Sequence, residues 1–86
     1  MYYVYVLRGS KQFYTGSTSD LRRRLSEHNA DRVFAKKNRG PWTVVYYEAS
    51  PSEKDARIRE RYLKTAWGKR YLKGRLMHSR YLSHGV

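Results

Sequence analysis

With 86 residues the chain suffices for a single domain, residues 1–86, and one modest core, since a chain this short buries only about two thirds of its extended surface. The absence of cysteine excludes a disulfide framework and any thiolate metal site. Nineteen Lys and Arg against seven Asp and Glu leave a net charge of +12, which points to a polyanion, and nucleic acid is the expected partner ahead of a membrane surface or the ribosome.

Residues 2–8, YYVYVLR, are β-branched and aromatic and predict a strand. Gly9-Ser10-Lys11 reads as a turn and residues 12–16, QFYTG, as the second arm of a β-hairpin. Strand alternation sets Tyr3, Tyr5 and Leu7 on one face, with Tyr2, Val4 and Val6 on the other. Ser17-Thr18-Ser19-Asp20 offers capping side chains for a helix over residues 20–29, whose Leu21, Leu25 and His28 share one face. Arg24 is four residues from His28 and lies beside it. Residues 30–41 are basic and weakly periodic, with one helical turn expected at Val33-Phe34-Ala35. Residues 42–48, WTVVYYE, predict the third strand. Ser50-Pro51-Ser52-Glu53 predicts a helix start with Ser50 as the cap, Pro51 at the first helical position and Glu53 closing a capping box. That helix directs Ala56, Leu63 and Trp67 to the core, Gly68 ends or kinks it, and a last helix over 69–80 carries Tyr71, Leu72 and Leu76. The order β-β-α-(α)-β-α-α predicts an α+β domain with a small three-stranded antiparallel sheet flanked by helices.

The groups capable of chemistry are tyrosines on the hairpin, arginines and a histidine on the first helix, and a few acids in a basic background. No Gly-rich phosphate cradle, HExxH or Cys/His cluster is present. Tyr3-Val4-Tyr5, followed after eight residues by Tyr14-Thr15-Gly16, resembles the two tripeptides that name the GIY-YIG nuclease superfamily. The segment from Gly16 to Asn29 resembles the family's helix motif, with Arg24 and His28 at its functional positions. Pro41-Trp42 and the strand ending Tyr46-Tyr47-Glu48 resemble its third strand, and residues 55–64 the segment bearing its metal-binding glutamate, here Glu60. Tyr3 and Val4 depart from the first tripeptide and Thr15 from the second. The asparagine that several members carry after the glutamate has no counterpart.

The resemblance implies a divalent-metal-dependent endonuclease. Glu60 holds Mg²⁺ (or Mn²⁺), and Arg24 forks onto the scissile phosphate. Tyr5 activates water, with Tyr14 as its orienting partner or a phosphate ligand, and His28 shuttles a proton or binds phosphate. A free phenol ionises only near pH ~10, so Tyr5 needs its cationic surroundings to serve as a base. Glu48 is the rival metal ligand. Nucleic-acid contacts are expected from Arg22, Arg23, Lys36, Lys37, Arg39, Lys64, Lys69 and Arg70. DNA is expected over RNA, cut with structure or damage selectivity and low sequence specificity, as in DNA repair, unless a homodimer or a protein partner supplies specificity.

Each residue also has an ordinary structural explanation. Tyr5 and Tyr14 could be core aromatics, Arg24 part of a solvated basic face, and Glu60 a surface partner of Lys64 at i, i+4. A non-catalytic DNA- or RNA-binding module retaining the nuclease fold is accordingly the alternative function. No apolar run approaches the roughly 20 residues of a membrane span, and the N-terminus lacks the basic start of a signal peptide. No membrane partner is expected, and the expected location is the cytoplasm.

Overall fold

The computed structural model describes residues 1–10, 12–30 and 41–77. Strands β1 (Tyr2–Arg8) and β2 (Phe13–Thr18) form an antiparallel hairpin in which Tyr5 lies opposite Gly16 and Val4 opposite Ser17. Strand β3 (Thr43–Ser50) pairs antiparallel with the other edge of β1, giving the order β2-β1-β3. A register shift lies between Val6 and Leu7, which pair with Tyr46 and Val44.

Helices cover both faces of the sheet, which explains why β1 is apolar at successive positions rather than alternating. On one face Val4 and Val6 pack with Ala56, Leu63 and Leu72. On the other, Tyr5 and Leu7 pack with Trp42, Leu21 and Leu25. Helix α1 (Leu21–Asn29) starts where Asp20 caps it, accepting a hydrogen bond from the Arg23 N–H at 3.0 Å. At its other end Asn29 brackets the Trp42 backbone, accepting from its N–H at 2.6 Å and donating to its carbonyl at 3.1 Å. The two ends of residues 30–41 are thereby tied together. The helical turn expected at Val33-Phe34-Ala35 lies outside the described residues.

Helix α2 (Glu53–Leu63) begins two residues later than the sequence predicts. Its cap is Ser52, which accepts from the Asp55 N–H at 3.2 Å, and not Ser50. Ser50 is the last residue of β3, opposite Tyr2, and the proline after it favours extended backbone. Its hydroxyl instead accepts from the Ser52 N–H at 3.2 Å, taking the part that a capping-box carboxylate would play.

Helix α3 (Ala66–Arg75) also corrects the expectation. Thr65 caps it, accepting from the Gly68 N–H at 3.1 Å, so Trp67 sits in its first turn and not on α2. Trp67 does not reach the core and is 67% exposed. Gly68 neither ends nor kinks a helix. A Cβ there would lie 2.2 Å from the Tyr62 carbonyl oxygen, so glycine lets α3 close onto the end of α2. Among the described residues no helix is long and apolar enough to cross a membrane.

Candidate active site

The site forms around Gly16 on the edge strand β2. Because Gly16 has no side chain, the Tyr5 ring opposite it can lie over the strand: a Cβ at Gly16 would be 2.6 Å from the Tyr5 hydroxyl and 3.0 Å from the Tyr14 ring. Tyr5 is almost wholly buried, and its hydroxyl lies 3.3 Å from Nε2 of His28, which α1 delivers fully buried to the same face. The Tyr14 ring centre is 4.8 Å from that of His28 and 6.2 Å from that of Tyr5, and Trp42 closes the cluster 5.9 Å from His28. Arg24 joins from the preceding turn of α1. Its Nη1 donates to Glu27 at 3.0 Å, and the guanidinium is also hydrogen-bonded to Tyr5.

Glu60 reaches the same stretch of β2 from the opposite face of the sheet. Ser17 pairs with Val4 and belongs to the α2 side, and its hydroxyl donates to Glu60 Oε1 at 2.6 Å. Lys64 Nζ donates to Oε2 at 2.7 Å. Tyr5 and Glu60 thus meet at adjacent residues of one edge strand, close enough for the carboxylate charge to act on the phenol.

Burial pushes the Tyr5 hydroxyl up to about 12, with the Tyr14 and Glu60 charges adding, and the Arg24 hydrogen bond does not offset them. The cationic surroundings therefore do not make Tyr5 a stronger acid: at neutral pH it is a phenol. The hydrogen bond to Tyr5, more than that to Glu27, holds Arg24 above its ordinary value. Burial works to raise Glu60, but the hydrogen bonds from Lys64 and Ser17 and the charges of Lys64 and Arg57 outweigh it and hold the carboxyl low. It is ionised at any physiological pH.

Residues 1–73 match the family described as the GIY-YIG catalytic domain. The chain belongs to the GIY-YIG family. It is 39% identical over 67 residues to a UPF0213 protein of Clostridium perfringens, covering 74% of this chain and 71% of that one. A UPF0213 protein of Halobacterium salinarum is 39% identical over 66 residues, covering 74% and 86%. The solution NMR structure of a UPF0213 protein from Bacillus halodurans is similar at a TM-score of 0.53 and 32% identity, covering 86% of this chain and 84% of that one. Its relatives are thus small GIY-YIG-domain proteins, and at family level the chain is an endonuclease, a hydrolase whose substrate is nucleic acid.

Within this GIY-YIG domain the five residues expected at the site, Tyr5, Tyr14, Arg24, His28 and Glu60, all gather around Gly16 and Ser17. Glu48, the rival acid, is engaged elsewhere. Arg59 forks onto it, Nε at 2.9 Å from Oε1 and Nη2 at 2.9 Å from Oε2, and the Tyr46 hydroxyl donates to it. Arg22 and Arg23 are exposed on α1, and Arg22 borders a groove of about 500 Å³ between α1 and the β1–β3 pair that Tyr3 and Tyr47 line. Lys69 and Arg70 are exposed on α3, whereas Lys64 is tied to Glu60. Lys36, Lys37 and Arg39 lie outside the described residues.

Three contributors escape a reading of sequence alone: Ser17, which orients Glu60; Glu27, which holds Arg24; and Asn29, which seats Trp42. Register offers a signal for Ser17, since pairing Tyr5 with Gly16 forces its neighbour onto the opposite face. Among the described residues no three His, Cys, Asp or Glu side chains gather as a metal cage. A single ionised carboxylate beside a hydroxyl, with no soft donor, nevertheless suits Mg²⁺, which commonly takes one or two carboxylates and fills its shell with water and substrate phosphate.

Proposed function

We propose that the chain is a divalent-metal-dependent endonuclease that hydrolyses nucleic-acid phosphodiesters, with DNA the first substrate to test and little sequence specificity. The observation that carries this reading is the meeting of Tyr5, Arg24 and His28 with Glu60 across β2, because it joins a proton relay, a phosphate-binding fork and an anionic ligand at one edge. Glu60 would hold Mg²⁺ or Mn²⁺, which when bound supplies Lewis acidity toward the phosphate and a more acidic water.

The chain's own groups supply the rest. A guanidinium can only donate, so the Tyr5 oxygen accepts from Arg24 and the Tyr5 proton is left for Nε2 of His28. The attacking water gives a proton to the Tyr5 oxygen as the Tyr5 proton passes to His28. The imidazole is then the terminal base, which reconciles a phenol held near 12 with catalysis at neutral pH. Arg24, still free to turn donors outward, stabilises charge on the phosphate oxygens as the new P–O bond forms and the old one breaks. The leaving sugar oxygen takes its proton from solvent water.

The Lys64–Glu60 ion pair favours the alternative, a binding module with the nuclease fold, since a carboxylate neutralised by its own helix needs no metal. Labelled duplex, flap, junction, single-strand and RNA substrates, incubated with Mg²⁺ and with EDTA, separate the two. The endonuclease reading expects cleavage of at least one substrate that EDTA abolishes. Binding of every substrate with cleavage of none, in Mg²⁺ or Mn²⁺, would favour the binding module.

A further inference from the structure

Helix α3 carries four cations, Lys69, Arg70, Lys73 and Arg75, and no acidic residue. Elsewhere the basic side chains are largely used internally: Arg23 and Arg24 pair with Glu27, Arg57 with Glu53, Arg59 with Glu48 and Lys64 with Glu60. The four cations of α3 make no ion pair among the described residues. Beside them stands Trp67, 67% exposed, with the Arg70 guanidinium 4.8 Å from its ring centre. A tryptophan this exposed forgoes the burial that usually justifies its size, and the stacked arginine holds its ring in place.

Gly74 lies seven residues after Trp67, on the same side of the helix. A Cβ there would meet nothing within 4 Å. Unlike Gly68, it has no packing reason to be glycine, and near the end of a helix it weakens α3. Its effect is to leave bare backbone beside the Trp67 ring, so a flat ligand can lie close.

We propose that the outer face of α3 is a nucleic-acid contact separate from the cleavage site, in which Trp67 stacks on an unpaired base while Lys69, Arg70 and Lys73 neutralise the flanking phosphates. This rests on the reading that the chain acts on nucleic acid, and adds that it grips a single-stranded stretch. Base stacking on an aromatic ring tolerates any sequence, and the cations provide the affinity for the backbone. The surface adjoins the site through the chain, because Lys64, which meets Glu60, directly precedes the Thr65 cap of α3. A strand leaving the scissile phosphate past Lys64 arrives at Trp67. A second copy of the chain is a poor occupant, since two such basic faces repel.

The test uses the full chain in EDTA, with fluorescein-labelled dT15 and a blunt hairpin duplex as probes followed by anisotropy. Trp67→Ala should weaken dT15 binding about tenfold, the scale of losing one stacked base, and duplex binding less than about twofold. Trp67→Phe keeps a ring and should stay within about threefold of wild type on dT15. Lys69→Ala/Lys73→Ala should lower the salt slope of log K by about 1.5 to 2 on dT15. Trp67 is exposed, so an unchanged melting temperature in Trp67→Ala certifies the fold, and Ile58→Ala, a half-exposed residue on α2, is the surface control. Wild-type dT15 affinity in Trp67→Ala, or an equal loss on both probes, would overturn the proposal while leaving the nuclease reading intact. A dimer of the wild-type chain that Trp67→Ala dissolves without changing dT15 binding would overturn it in favour of self-association. Binding of neither probe by wild type would overturn the nucleic-acid reading itself.

Discussion

Replacing Gly16 by alanine should damage activity well beyond its cost in stability. The added Cβ would stand 2.6 Å from the Tyr5 hydroxyl, 2.9 Å from Cζ and 3.0 Å from the Tyr14 ring, whereas ordinary contact begins at 3.4 Å. The hydroxyl must therefore withdraw by 3.4 − 2.6 = 0.8 Å. Tyr5 is 1% exposed and wedged against Leu7 and Trp42, so the ring cannot swing into solvent. Overpacking of this kind costs about 1–3 kcal/mol, and the lower entropy of an unfolded chain with alanine returns up to about 1 kcal/mol. A net loss of about 1–2 kcal/mol lowers the melting temperature of so small a domain by roughly 5–15 °C. The same displacement stretches a Tyr5–His28 contact already 3.3 Å long, and a misplacement near 1 Å costs about a hundredfold in rate. Nicking rates measured well below the melting transition, beside thermal denaturation, separate the two losses. Combining Gly16→Ala with Tyr5→Phe removes the clashing oxygen and should recover part of the stability but none of the activity. Wild-type turnover in Gly16→Ala would refute this account of how the two tyrosines are held.

Tyr5→Phe alone should leave the fold and DNA affinity near wild type while turnover in the nicking assay falls about a hundredfold or more; Tyr2→Phe, on the opposite face, should change little. Gly68→Ala should cost about 3 kcal/mol in urea denaturation, because its Cβ would meet the Tyr62 carbonyl and Leu63 Cα at 2.2 and 2.4 Å, backbone that cannot turn aside. Metal-free stability should be full above pH 4.5 and fall below it, since Glu48 and Glu60 both have folded-state values under their ordinary 4.5 and lose their partners as they protonate. The alkaline limb comes from Tyr5, whose contribution is complete below pH 10 and disappears as pH rises through about 12; urea midpoints across both limbs measure it.

What the sequence reveals is mostly local. The run YYVYVLR and the Asp20 cap predict β1 and α1 nearly to the residue, because strand composition and N-cap chemistry act within a few positions. The α2 cap is displaced because Ser50 and Ser52 are equally good donors of a capping oxygen. Only the pairing of Ser50 with Tyr2, far away in the chain, decides between them. Trp67 continues the spacing of Ala56 and Leu63 and so reads as core, but the break at Lys64–Thr65 rotates everything after it. At the site, motif spacing brings together Tyr5, Tyr14, Arg24 and His28. It does not reveal that Glu60 arrives from the other face of the sheet, nor that Arg59 occupies Glu48, which are consequences of packing α2 across β2 and β3. The elevation of Tyr5 is equally hidden, because burial depends on the whole fold.

Glu60→Gln tests the central claim most directly. It removes the anionic ligand at nearly constant shape, leaving the Ser17 contact possible and freeing Lys64. Nicking of a flap or junction substrate in Mg²⁺ is followed for wild type, Glu60→Gln and Glu48→Gln, with filter binding in EDTA alongside. The account predicts that Glu60→Gln loses metal-dependent cleavage while DNA binding in EDTA persists or tightens, because a negative charge facing phosphate is gone. Glu48→Gln should still cleave and lose only stability, since its partner is Arg59. Full cleavage by Glu60→Gln, with at most about half a kcal/mol of stability lost, is the result that would contradict the account and return Glu60 to the role of a surface partner for Lys64.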